Sequence, residues 1–172
     1  MSDLQARVRD TIRDVADFPK PGVLFKDITP ILANPALMRD IIDWMADGAP
    51  PVDLVVGMES RGFFFGPALA MKLAVPFAPA RKAGKLPHAT TSMDYELEYG
   101  SATLEMHVDS VPTGARVLVV DDLLATGGTA RATLDLVRKL GGKPVEACFL
   151  IELGFLKGEA QLDIPVRSLV TY

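Results

Sequence analysis

Apolar positions along the chain follow two rhythms. Leu4, Val8, Ile12 and Val15 recur at helical spacing behind Ser2 and Asp3, either of which can cap, so residues 2–15 are predicted as an amphipathic helix. Leu37, Ile41, Trp44 and Met45 do the same behind Asn34 and Pro35, an N-cap and a first-turn proline. Residues 34–46 therefore read as a second helix, with Trp44 in the core. Short, largely apolar runs at 53–58, 75–80, 117–120, 145–153 and 165–170 are too brief for helices and read as strands, those at 53–58 and 117–120 buried on both faces. Residues 63–73 and 130–140 read as intervening helices, the first with three phenylalanines expected in the core and the second stopped by Gly141-Gly142. Residues 23–28 read as extended and 102–107 as an alternating strand, whereas 17–22 and 29–32 read as breaks. Strands and helices that alternate in this way predict an α/β domain whose central sheet is mostly parallel and flanked by helices.

Chemistry gathers where the buried runs stop, which is where open α/β sheets place their ligands. After 117–120 come Asp121 and Asp122, and then Ala125-Thr126-Gly127-Gly128-Thr129 ahead of a helix. Glycines that admit positive φ, followed by a helix N-terminus, turn successive backbone N–H groups toward one point, and the Thr126 and Thr129 hydroxyls add donors. That is a phosphate cradle. Two carboxylates at its mouth need hydroxyls or a divalent ion to offset them, and a sugar phosphate supplies both a diol and a phosphate. The loop is no P-loop, since no Gly-Lys-Ser/Thr follows, and no dinucleotide fingerprint, since Gly-x-Gly-x-x-Gly is absent from the strand end. After 53–58 stands Glu59-Ser60-Arg61-Gly62, in which a forked guanidinium suits phosphate and glycine admits close approach. After 75–80 stands Arg81-Lys82-Ala83-Gly84-Lys85, a cluster of three cations at a third strand end.

Composition narrows the picture. The 172 residues suit a single domain over 1–172, and 49% hydrophobic with 23% charged residues is a globular profile. A net charge of −4 argues against a nucleic-acid partner, so an anionic substrate must be held by local cations. Cys148, the one cysteine, sits in an apolar run and reads as a buried small hydrophobe; His88 and His107 have no zinc spacing around them. The charged start and the lack of an ~18-residue apolar stretch argue against a signal peptide and a membrane partner, leaving a cytoplasmic location as the default.

The hydrophobic strand, the acidic pair and Ala125-Thr126-Gly127-Gly128-Thr129 together resemble the phosphoribosyl-pyrophosphate signature of the type I phosphoribosyltransferases. Phe18-Pro19-Lys20-Pro21-Gly22-Val23-Leu24-Phe25-Lys26-Asp27-Ile28-Thr29-Pro30 resembles the hood segment of the adenine phosphoribosyltransferase family. Arg81-Lys82-Ala83-Gly84-Lys85-Leu86-Pro87, Leu97-Glu98-Tyr99-Gly100 and the Leu-Lys-Gly at 156–158 extend the likeness over nearly the whole chain. The resemblance implies the type I phosphoribosyltransferase fold, with a small N-terminal hood at about 1–33 and a flexible lid at about 88–105 that excludes water. It implies transfer of a phosphoribosyl group from phosphoribosyl pyrophosphate to adenine, giving AMP and pyrophosphate, in a homodimer of a purine-salvage enzyme. Asp121, Asp122 and residues Ala125, Thr126, Gly127, Gly128 and Thr129 would hold the ribose and its 5-phosphate. Glu59, Ser60, Arg61, Arg81 and Lys85 would serve the pyrophosphate, with a cis peptide between Glu59 and Ser60. Phe25 would stack on adenine while the backbone of Leu24 and Lys26 reads its edge; Lys26 stands where the family commonly has arginine. Glu98, with Tyr99 beside it, is the implied acid/base, and Glu96 is a rival within reach. Mg²⁺ would be held mainly by substrate and water, with no direct protein ligand. Without the likeness, 88–101 reads as an exposed β-hairpin arm. A phosphoribosyltransferase for another base, or a non-catalytic regulator that senses phosphoribosyl pyrophosphate, would share the 117–129 signature.

Overall fold

The computed structural model describes residues 2–97 and 100–172. Helix α1 (Asp3–Thr11) opens with a capping box in which Ser2 Oγ accepts from Gln5 N and Gln5 Oε1 accepts from Ser2 N. It stops earlier than its apolar period suggests. Ile12 is extended, and β1 (Arg13–Ala16) pairs antiparallel with β2 (Leu24–Asp27). Val15 falls at helical spacing, yet it faces Phe25 across this ribbon, because the ladder supplies backbone partners to 13–16 that one more helical turn would have supplied. The expected break at 29–32 is instead a helical turn, α2 (Thr29–Leu32), with Pro30 in the first-turn position that proline tolerates.

Helix α3 (Pro35–Asp47) is capped by Asn34, whose side chain accepts from Leu37 N at 3.1 Å. Trp44 is only partly buried. Its ring lies at the rim of the core, covered by the Arg167 guanidinium at 4.6 Å. Beyond β3 (Leu54–Met58), a 3₁₀ turn (Arg61–Phe64) leads into α4 (Gly66–Leu73). Three successive phenylalanines cannot share one face of that turn, so Phe65 is fully buried while Phe64 is 47% exposed. The chain continues through β4 (Phe77–Lys82), β5 (Thr90–Leu97), β6 (Gly100–His107), β7 (Arg116–Leu124), α5 (Gly128–Lys139), β8 (Lys143–Glu152) and β9 (Val166–Thr171).

Seven strands form one sheet in the order β5-β6-β4-β3-β7-β8-β9, parallel from β4 to β9, with the β5–β6 hairpin antiparallel on the β4 edge. Alternation divides the core. Val55, Leu118, Val120, Cys148 and Leu150 point to the side of α1, α3 and α4; Leu54, Val56, Val117, Val119 and Phe149 point to the side of α5. Strand β7 outruns one neighbour, and this makes the site. β7 pairs with β3 only from Val117 to Val120, but with β8 as far as Leu124. The acidic pair was expected just beyond the strand; it lies within it, on the stretch that β3 leaves open.

Candidate active site

At the end of β7, Asp122 is 2% exposed while Asp121 keeps some open surface. Asp122 N donates to Asp121 Oδ1 at 2.8 Å. Burial, and then the charge of Asp122, push the Asp121 carboxyl well above its usual range; burial also raises Asp122, against the pull of Arg61. Arg61 Nε lies 3.0 Å from Asp122 Oδ2, yet that oxygen accepts no hydrogen bond, because the N–H is not aimed at it. Two crowded carboxylates with an unsatisfied oxygen form an acceptor site suited to hydroxyl donors or a cation.

The cradle follows. Gly127 takes φ +88° at the N-cap of α5, and Arg131 N is the first amide to bond back to it, at 2.8 Å. The preceding amides of the first turn have no carbonyl within the helix to bond. They open on a cavity of about 180 Å³ lined by Ala125, Thr126, Gly127, Gly128 and Thr129, with Asp121 at its side and Met58 and Phe149 in its wall. The loop is held from behind by the segment after β8. A Cβ on Gly158 would stand 2.1 Å from Ala125 O, and one on Gly127 would stand 2.5 Å from Gly158 O. This backing was not read from the residues; its only signal was an isolated glycine in a short loop.

The Glu59–Ser60 peptide is cis, as the resemblance implied. Gly62 is needed where the loop meets β7: a Cβ there would stand 2.7 Å from Val120 O. Glu59 grips Arg81 through both carboxylate oxygens, at 3.1 Å to Nε and 3.2 Å to Nη2, and also accepts from Lys82 N at 3.0 Å. Burial would raise Glu59, but these partners hold it below its usual range. Arg81 Nη1 donates to the Lys85 carbonyl at 3.0 Å, and the Lys85 side chain is exposed. The third strand end is thus tied to the second, with Glu59 as the tie.

Phe25 reaches the same place from the hood. The Arg61 guanidinium lies 4.9 Å from its ring centroid, and Phe18 meets it edge-on at 5.1 Å. The structure therefore brings Phe25, Arg61 and Asp122 into one chain of contacts. β2 is paired on one edge only, which leaves backbone groups near Leu24 and Lys26 on its other edge. The Lys26 side chain is turned inward, with Nζ 2.7 Å from Asp14 Oδ1. Glu98 and Tyr99 lie outside the described residues.

The family profile described as phosphoribosyl transferase domain matches residues 27–166. The chain is 51% identical to the adenine phosphoribosyltransferase of Thermobifida fusca over 99% of its own length and 98% of that protein's. Among solved structures, it is similar to adenine phosphoribosyltransferase from Thermoanaerobacter pseudethanolicus, with 46% identity, a TM-score of 0.95 and coverage of 98% and 99%. It is also similar to the Saccharomyces cerevisiae enzyme solved with an iminoaltritol bisphosphate and adenine, with 41% identity, a TM-score of 0.92 and the same coverage.

Proposed function

This chain belongs to the phosphoribosyl transferase domain family, and we propose from that premise how its residues perform their chemistry. The reaction is transfer of the phosphoribosyl group of phosphoribosyl pyrophosphate to adenine, giving AMP and pyrophosphate. One observation carries the assignment of roles: on the open end of β7 the acidic pair adjoins the glycine cradle through Asp121 and meets Arg61 through Asp122, and Arg61 in turn lies against Phe25.

The 125–129 loop and the first turn of α5 hold the 5-phosphate through backbone N–H groups and the Thr126 and Thr129 hydroxyls. Asp121 and Asp122 accept the ribose hydroxyls, and their charge favours the oxocarbenium-like cation that develops as the leaving group departs. Arg61, Arg81 and Lys85 serve the pyrophosphate on the loop formed by Glu59 and Ser60, with Glu59 orienting the Arg81 fork. Phe25 stacks on adenine and the backbone at Leu24 and Lys26 reads its edge. Glu98, beside Tyr99, takes the proton that adenine loses on attack.

Mg²⁺ fits this site as an ion held mainly by substrate oxygens and water, beside the crowded Asp121 and Asp122 carboxylates and with no direct protein ligand. Among the described residues no group of three or more His, Cys, Asp or Glu is arranged as a cage. When bound, the ion would neutralise charge on the departing pyrophosphate. The working unit is a homodimer; exposed Phe64 and Met71, seven residues apart along the 3₁₀ turn and α4, support this, and sedimentation mass would check it. A cytoplasmic setting completes the reading.

Titration with AMP tests the assembly, since AMP carries the base, ribose and 5-phosphate together. Phe25→Ala should weaken AMP binding roughly three- to tenfold, the size of an aromatic stacking contact. Unchanged affinity would remove Phe25 from the base site.

A further inference from the structure

The hood is not an extension of the main sheet, because β1 and β2 pair only with each other. One polar attachment to the body is the Arg7–Asp40 ion pair to α3, at 2.8 Å; the other runs through the end of β9. Gln5 Nε2 donates to the Leu169 carbonyl at 3.0 Å, and Arg9 Nη2 donates to the Thr171 carbonyl. Tyr172 comes next. Lys26 Nζ stands 3.9 Å from its ring centroid, and the Arg9 guanidinium carbon stands 4.6 Å from it. Lys26 is 7% exposed and has the Asp14 carboxylate as its charge partner. An ammonium so far withdrawn from water gains from the negative face of an aromatic ring, and Tyr172 provides that face. One ring thus gathers α1 through Arg9, β2 through Lys26 and, by way of Asp14, β1.

The neighbour of Lys26 in β2 is Phe25. Strand alternation puts the two on opposite faces of the ribbon. One face is fastened to Tyr172, and the other presents Phe25 to Arg61. The base of the tyrosine is itself fixed, since Tyr172 N donates to the Glu152 carbonyl and the Tyr172 carbonyl accepts from Gly154 N, both at 2.9 Å.

We infer that Tyr172 is a positioning residue for the base site: its ring, shared by Arg9 and Lys26, fixes how the hood presents Phe25 and so sets the affinity for adenine without touching it. This rests on Phe25 being the adenine platform. Substitution of the ring leaves the backbone link to Glu152 and Gly154 in place, so the phosphate side of the site is unaffected.

Steady-state kinetics with each substrate varied separately tests the role. Tyr172→Ala and Tyr172→Leu should raise the adenine KM roughly three- to thirty-fold, the Leu variant because it keeps apolar bulk but loses the π face. The phosphoribosyl-pyrophosphate KM and kcat should stay within about twofold, and Tyr172→Phe should restore the adenine KM. If Tyr172→Ala does not fold, the comparison of Leu with Phe carries the test. A wild-type adenine KM in Tyr172→Leu, or an equal rise in both KM values, overturns the inference. Phe25→Ala is run alongside: if it raises the adenine KM while Tyr172→Leu does not, only the Tyr172 role fails. If Phe25→Ala has no effect, the platform reading fails and takes the inference with it.

Discussion

Asp121 shows how a binding site is held at the expense of stability. Its carboxyl sits above the usual range because burial and the Asp122 charge oppose ionisation. The fold therefore binds that proton more tightly than the unfolded chain does. The stability this contributes is present at acidic pH and is lost as pH rises through the raised value. Asparagine does not titrate, and its carbonyl oxygen can still accept from Asp122 N as Asp121 Oδ1 does. Asp121→Asn should thus be more stable than wild type at pH 8, with the gap closing as pH falls to the ordinary carboxylate range near pH 4. Thermal melts at the two pH values check the sign, and a variant less stable than wild type at pH 8 would contradict it. The same variant should turn over more slowly if Asp121 accepts a ribose hydroxyl as proposed, since that acceptor is then weakened. At Glu98, substitution by alanine should lower kcat by roughly 10²- to 10⁴-fold. Near-normal turnover with adenine would pass the proton role to another group, Glu96 first.

Between elements, the phosphate loop depends on a neighbour distant in sequence. Gly158 lies against Ala125 so closely that a Cβ would overlap its carbonyl oxygen at 2.1 Å, and backbone cannot yield as a flexible side chain does. Gly158→Ala should displace the 125–129 loop and raise the phosphoribosyl-pyrophosphate KM at least about tenfold, with a smaller effect on adenine. Equal KM values in variant and wild type would show that the loop does not need this backing. That contact is the kind a sequence conceals, because it joins two loops whose approach is set by β7 and β8. The acidic pair and glycine cradle were legible because a strand, two carboxylates and a glycine turn before a helix are local chemistry. The boundary at Thr11 was not, since Val15 satisfies helical spacing and only pairing with Phe25 makes it a strand residue. Nor was the reach of β7 past Val120, which depends on where β3 ends. Arg81 fell between these cases. Its place at a strand end was readable, but its fork is occupied by Glu59 from a neighbouring strand end.

Across the whole molecule, two parts meet at one point: a sheet whose strand β7 overshoots β3, and a ribbon hood outside that sheet that brings Phe25 against Arg61. In the proposed assignment the sheet end holds the sugar donor and the hood selects the acceptor, so the acceptor preference is its most demanding consequence. A phosphoribosyltransferase for another base, or a regulator that only senses the donor, would keep the β7 end and lose that preference. The decisive measurement is nucleotide and pyrophosphate formation by the wild-type protein with Mg²⁺ and phosphoribosyl pyrophosphate, given adenine, hypoxanthine, guanine or orotate separately. The account predicts AMP and stoichiometric pyrophosphate with adenine, at a kcat/KM at least about a hundredfold above that with any other base, as expected where buried backbone groups would be left unpaired by the wrong one. Comparable turnover of another base, or no nucleotide from any of them, would contradict it.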